Sequence, residues 1–526
     1  MSIPTIMGTE HEYGIYLPES KRKGSDECAY QIVECARTRF RSSRRDTGYE
    51  LTLEMIARDY GLSLWRVERL YKRFGDLNEV LRYVGGSGSM MANGARFYVD
   101  LGHPEYSTPE CASAADLLVA ERVGELIVDS ARQLVEKSHQ VRIDIHKDNS
   151  DRKGASFAAH ENYLVSPELF FDLVPSREPL LHEKLSLRAS AWTNFLATRH
   201  IWAGSGKAGS DLGDHGIGFQ LSQRAEFIRC VRSHSTTRHR GIINTRDNSY
   251  ADDRRFKRLH VIIGDANMCE VAIFLKVGVS ALFLKMLEDG FLNHADTLLY
   301  DLIQDPPNVV RLVSYDLSFS NKFVCQSGRR ITALEIQEEA LRVLERYCET
   351  HYSPDQVESR VLKYFRDTLF NLKTDPKALY GWLDHITKKM EIERHLKKTG
   401  KTDRDASALY LDFLYHNIDQ SRGLYWKLYE VGNIHRLARE EDIKKAVHEP
   451  PVNTRAWIRG KIIKKFSGVF GNWNKLNIPS GDGFIDTIIM NNPAVGGKKE
   501  CEMLLKQCKT SLELVNRWKR MEQEHE

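Results

Sequence analysis

Ala95-Arg96-Phe97-Tyr98-Val99-Asp100 alternates apolar and polar side chains with a period of two, the pattern of a half-buried strand. Phe97 and Val99 form one face, and Arg96, Tyr98 and Asp100 share the other. An arginine fork suits phosphate, while aspartate and tyrosine oxygens suit a hard cation such as Mg2+. Gly102-His103-Pro104-Glu105-Tyr106-Ser107-Thr108 follows at once and adds another carboxylate and several hydroxyls. Upstream, Gly8-Thr9-Glu10-His11-Glu12-Tyr13-Gly14 places Glu10 and Glu12 on one face of a second strand. Carboxylates about 7 Å apart along a strand repel each other unless a cation or a positive side chain lies between them. Together the two strands predict the concave side of a sheet that holds a metal–nucleotide complex. An exposed acidic strand face is the plainer alternative.

Further strands fit the same wall. His160, Asn162 and Leu164 share a face in residues 160–164, and His260 opens the apolar run Val261-Ile262-Ile263. Imidazole can ligate Mg2+ or Mn2+ beside carboxylates, although a lone histidine is more often a hydrogen-bonded core residue. The chain carries no Walker A sequence, so a nucleotide would lie on the sheet rather than in a P-loop. Two basic stretches stand out. Arg37–Arg73 holds ten Lys and Arg against five acids, and Arg224–Arg258 holds ten against four. The second, with Arg224, Arg246 and Arg258 as candidate contacts, would suit an acidic macromolecule; a solvated surface is the alternative. Within the first, residues 53–74 have the spacing of a helix-turn-helix, which makes a DNA-binding regulator the rival, non-enzymatic class.

The rest of the chain is ordinary for a globular protein. It has 526 residues, 41% apolar and 28% charged, with a net charge of +4. That near-balance argues against a general nucleic-acid coat. The most apolar run, Val271–Leu287, is interrupted by Lys276 and Lys285 and cannot span a bilayer. No apolar h-region opens the chain, so a cytoplasmic location is expected. The nine cysteines include no CxxC and read as reduced thiols.

Strands and helices are segregated along the chain, which predicts an α+β fold with a largely antiparallel sheet. Strands are expected within 1–17 and at 95–101, 141–146, 160–165, 216–222, 241–245 and 260–263. Helices are expected at 25–40, 117–137, 270–288, 333–350, 354–372, 377–396, 405–417 and 510–526. A charged helical insertion, at about 40–90, ends in a Gly/Ser hinge at 85–89. A boundary near 435 leaves 436–526 as a small C-terminal domain closing over the nucleotide.

The blocks GTEHEYGI (8–15), NGARFYVDLGHPEYSTPEC (93–111), GASFAAHENYL (154–164), GFQLSQR (218–224), RGIINTRD (240–247), RRFKRLHVIIGDAN (254–267) and PPVNTRAWIRG (450–460) occur in order. They resemble the family that processes the prokaryotic ubiquitin-like protein Pup, which comprises deamidase/depupylases and ligases. The resemblance implies a glutamine-synthetase-like large domain plus a small C-terminal domain, acting on Pup and pupylated proteins in proteasomal degradation, as a monomer. It implies ATP bound with Mg2+: Glu10, Tyr98 and Glu105 on the metal, Arg96 and Thr108 on ATP, and Asp100 as the catalytic aspartate. Glu12, His160 and His260 would line a second metal position, and Trp473 would lie beside adenine. The gap of about 80 residues from Glu12 to Asn93 resembles the deamidase branch, so hydrolysis of Pup's terminal glutamine amide and of the Pup–lysine isopeptide bond is expected. Ligation through a γ-glutamyl phosphate is the alternative.

Overall fold

The computed structural model describes residues 3–18, 24–43, 53, 64–77, 80, 89–157, 159–174, 185–213, 218–294, 297–402, 405–480 and 484–524. The strands used below are β1 (Met7–Glu12), β2 (Ser89–Met90), β3 (Arg96–Asp100), β4 (His103–Ser107), β5 (Ala159–Val165), β6 (Ile228–Ser233), β7 (Arg240–Asn244), β8 (Lys257–Val261), β9 (Phe470–Gly471), β10 (Lys475–Pro479) and β11 (Ile485–Ile489). The helices are α1 (Ser25–Arg39), α2 (Ala114–His139), α3 (Leu187–Thr198), α4 (Glu270–Glu288), α5 (Arg455–Lys465) and α6 (Ser511–Glu524). The fold is α+β, and the chain divides into two compact units. Unit 1 comprises 1–9, 112–118 and 146–439; unit 2 comprises 10–111, 119–145 and 440–526.

In unit 1 the strands run in the order β6-β7-β8-β5. Every pairing there is antiparallel except β6 with β7, which is parallel. Helix α4 is enclosed on nearly every side, as its all-round apolar sequence requires. Lys276, inside it, is buried and donates to the Asp265 carbonyl at 2.7 Å. Among the described residues no helix is long and apolar enough to cross a membrane. Helix α3 packs Trp192 and Phe195 against each other and stacks Phe195 on Phe283, with centroids at 5.4 and 4.6 Å. Arg199 and Glu161 form a fully buried pair that Ser280 completes at 2.9 Å.

Unit 2 orders its strands β1-β4-β3-β2, all antiparallel. Helix α1 buries Cys28, Ala29, Ile32, Val33 and Ala36, a helical stripe turned inward. The C-terminal residues form a second antiparallel sheet, β9-β10-β11. Its Leu476, Ile478 and Ile488 share a core with Trp457, Ile458 and Ile462 of α5, Trp518 of α6, and Met90 and Ala92.

Several expectations differ from the structure. Residues 377–396 are not one helix: a short 3-10 turn at Pro376–Leu379 precedes a helix beginning at Asp384. Gly381 between them has φ +79°, and a Cβ there would lie 2.2 Å from the Asn433 carbonyl oxygen. Helices α3 and Pro306–Tyr315 were not expected, nor was the β9–β11 sheet. Of the helix-turn-helix spacing at 53–74, residues 54–63 lie outside the described residues, as do 85–88 of the Gly/Ser hinge; Leu64–Phe74 is helical. None of the nine cysteines is in a disulfide, and six are buried.

Candidate active site

Strand register builds the site within unit 2. Glu12 lies opposite Glu105, and Glu105 opposite Tyr98, so the three form one row across β1, β4 and β3. Glu10 lies in the neighbouring row, opposite Ser107, which in turn faces Arg96. Asp100 stands at the end of β3 opposite His103. Because side chains alternate, these groups share one face while His11, Phe97, Val99 and Tyr106 occupy the other. That other face is sealed: the ring of Tyr106 lies against Gly124 of α2, and His11 Nε2 meets Glu121 at 3.6 Å.

Glu12, Asp100 and Glu105 each present a carboxylate oxygen within 4.8 Å of the others. The Tyr98 hydroxyl donates to Glu105 at 2.5 Å, and His103 Nδ1 lies 3.8 Å from Glu12. Burial, then the charges of Asp100, Glu12 and Glu10, push the Glu105 carboxyl well above the usual range. Burial and the neighbouring carboxylates likewise raise the Tyr98 phenol, which stays protonated and donates. Two buried carboxylates, Glu12 and Glu105, with the half-buried Asp100 beside them, crowd hard oxygen donors that repel one another, a set that a divalent cation neutralises, so the residues present fit Mg2+. The expectation grouped Glu10 with Tyr98 and Glu105; in the structure Glu12 is the carboxylate that joins Glu105 and Asp100.

Arg96 stacks its guanidinium 4.8 Å from the Tyr98 ring centroid, and Thr108 is buried just beyond β4. Trp473, half-buried, packs against the C-terminal core, with the Arg459 guanidinium 5.0 Å from its ring centroid. In unit 1, His160 and His260 stand edge to face with centroids 4.7 Å apart, and Asn162 Oδ1 fixes His260 Nδ1 at 2.8 Å. The basic stretch is not the open surface its composition suggests. Arg224 is 1% exposed and donates to the Phe157 carbonyl, and Arg240 bonds the Ser156 and Thr236 carbonyls. Arg246 donates to the His234 carbonyl at 3.2 Å, and Arg258 to Asn162 Oδ1 at 3.3 Å. Sequence reasoning missed Glu110, Arg455 and Arg459; their signal was the i, i+4 arginine spacing on α5.

The family model described as Pup-ligase protein matches residues 5–477. A depupylase from Acidothermus cellulolyticus is 33% identical over 519 residues, covering 97% of this chain and 98% of that protein. A Pup deamidase/depupylase from Mycolicibacterium smegmatis is 32% identical over 516 residues, again 97% and 98%. A Pup–protein ligase from Acidimicrobium ferrooxidans is 34% identical over 468 residues, 86% of this chain and 97% of that one. Among solved structures, the complex of Pup with its ligase PafA matches with a TM-score of 0.75 at 25% identity, covering 96% and 93% of the two chains. PafA in complex with ADP matches with a TM-score of 0.70 at 28% identity, covering 88% and 94%.

Proposed function

Because the chain belongs to the Pup-ligase protein family, we propose that it is a Pup deamidase and depupylase. It hydrolyses the side-chain amide of a C-terminal glutamine of Pup, and the isopeptide bond joining Pup to a substrate lysine. Both reactions add water across a γ-glutamyl C–N bond, leaving a carboxylate and releasing ammonia or an amine. The observation that carries this reading is the length of alignment. Relatives named as depupylases align with 97% of the chain, whereas the ligase from Acidimicrobium ferrooxidans aligns with 86% of it.

Asp100 is the reacting carboxylate in this proposal, as nucleophile on the γ-carbonyl or as the base that takes a proton from water. Its place at the end of β3 leaves it half-exposed beside two more buried carboxylates. Glu12 and Glu105, with Glu10 and Tyr98, would hold Mg2+. When bound, that ion supplies positive charge for the nucleotide's phosphates and for a polarised carbonyl. Arg96 and Thr108 would bind the phosphates of ATP, and Trp473 the adenine, with ATP a cofactor rather than a fuel. His160 and His260 offer an imidazole pair suited to a divalent cation. The compartment proposed is the cytoplasm.

The test is incubation with glutamine-ended Pup and with a Pup–protein conjugate, Mg2+ and ATP present, read by mass. Loss of ammonia and release of free protein without net phosphate release are expected. One phosphate released per bond formed would make the chain a ligase. Asp100→Asn should lower hydrolysis at least about a hundredfold, the size of a lost acid–base group, while the variant still binds nucleotide. Retained turnover in that variant would remove Asp100 from its role.

A further inference from the structure

Glu110 lies two residues past Thr108, and two arginines one turn apart on α5 grip its carboxylate. Arg455 Nε donates at 2.7 Å and Arg459 Nη1 at 3.0 Å, and Arg459 Nη2 reaches the second oxygen. Thr454, the N-cap of α5, donates its hydroxyl to the Glu110 carbonyl at 2.8 Å. The same Arg459 fork extends further: Nη1 donates to the Trp473 carbonyl at 2.9 Å and Nη2 to the Gly94 carbonyl at 2.6 Å. Its Cζ also lies over the Trp473 ring, 5.0 Å from the centroid. One fully buried side chain therefore ties three segments together: the end of β4 that carries Thr108, the turn before Arg96, and the loop that carries Trp473. A guanidinium makes these contacts at once because its donors are fixed in one plane, which a lysine ammonium cannot imitate.

We propose that Glu110 and Arg459 are positioning residues for nucleotide recognition, holding the Trp473 indole at a set distance and tilt from the Arg96–Thr108 phosphate-binding strands. Affinity for the base is then set by a pair that does not touch it. The indole is half-buried, so part of its surface stays available for a stacked base. Glu110 stays ionised throughout the physiological range, because two cations within hydrogen-bonding distance outweigh its burial. The clasp is thus permanent and not a switch. This inference rests on the proposed reading that a nucleotide lies with its phosphates by Arg96 and its base by Trp473.

The experiment measures calorimetric binding of Mg–ADP and, separately, of Mg–tripolyphosphate, which has no base, to the full chain. Arg459→Lys keeps the charge but loses the planar fork. It should weaken ADP binding roughly three- to tenfold, the size of one aromatic stacking contact, and leave tripolyphosphate binding unchanged. Glu110→Asp, which shortens the clasp without removing its charge, should give the same base-selective loss and serves if the arginine variant folds poorly. In a Trp473→Ala background, Arg459→Lys should cause no further loss. Unchanged ADP affinity in both charge-conserving variants would overturn the proposal, as would an equal loss for both ligands, which marks a general structural role. Failure of the unmodified protein to bind ADP would instead overturn the nucleotide reading itself, and this inference with it.

Discussion

Asp148 is a buried carboxylate whose Oδ1 finds no hydrogen-bond partner among the described residues. Burial pushes its carboxyl up to about 7, with Arg152 and Lys388 opposing that shift and Asp412 adding to it. Nearby, Lys388 donates to Asp412 at 2.5 Å and to the Gly206 carbonyl at 2.6 Å, so the positive charge there is already engaged. A folded value above the unfolded 3.8 means that the unfolded chain ionises first. The contribution of Asp148 to stability is therefore greatest below about pH 4, falls as pH rises through the interval to 7, and levels off above it. The shift corresponds to at most about 4 kcal/mol. Asp148→Asn removes the ionisation, so its stability relative to the unmodified protein should climb between pH 4 and 7 and stay constant at higher pH. Denaturant midpoints at pH 4.5, 6 and 8 measure this, and a pH-independent difference would contradict it. At this scale the legible residues were those whose chemistry follows a local period. Arg96, Tyr98 and Asp100 announce their shared face by alternation alone. Glu110 and Arg459 do not, because 349 residues separate two partners that meet only in the fold.

The close approach of α5 to the turn at Ala92–Gly94 sets how tightly the Trp473 loop and the β3–β4 strands can be joined. A Cβ on Gly460 would lie 2.3 Å from the Ala92 carbonyl oxygen, and one on Gly94 would lie 2.9 Å from Ala456 Cβ. Glycine within a helix costs about 1 kcal/mol relative to alanine, so contact rather than propensity explains Gly460. Gly460→Ala should lose that gain and more, about 1–3 kcal/mol net, because the obstacle is backbone. The denaturant midpoint should fall, and ADP affinity with it. A rise in stability would mean that α5 can move away at no cost. Elements differ in legibility for physical reasons. Helix α1 carries an inward stripe with helical period and can be read directly. Helix α3 is buried at every position from Ala189 to Thr198, so no face contrasts with another, and only the Ser186 N-cap marks it. The strand β10 alternates Leu476, Asn477 and Ile478 in sequence, although all three are buried, and five residues are too few to separate it from a loop.

For the whole molecule, a net charge of +4 conceals an uneven distribution, since Arg224–Arg258 alone carries ten basic residues against four acids. The structure spends much of that charge internally. Arg224, Arg232, Arg240 and Lys257 are buried, and Lys257 pairs with Asp247 at 3.0 Å. The stretch thus serves chiefly to wire the β6–β8 strands and the Ser156–Phe157 loop together through backbone carbonyls. What remains for an acidic partner is smaller: Arg229 on β6, the outermost strand of unit 1, and Arg238 in the turn that follows it are exposed, while the exposed Arg254 is paired with Asp252 at 3.1 Å. Exposed charges act over about a Debye length and are screened by salt, so they govern encounter more than chemistry. If these two arginines steer a Pup conjugate, raising ionic strength from about 0.05 to 0.3 M should lower kcat/KM several-fold while kcat holds. The double substitution Arg229→Glu, Arg238→Glu should reduce kcat/KM at low salt and flatten that dependence. An unchanged salt profile would place the docking charge elsewhere. Composition could suggest a basic surface because it counts charges. It could not distinguish a guanidinium facing solvent from one satisfied by a carbonyl, because that difference exists only once the strands are paired.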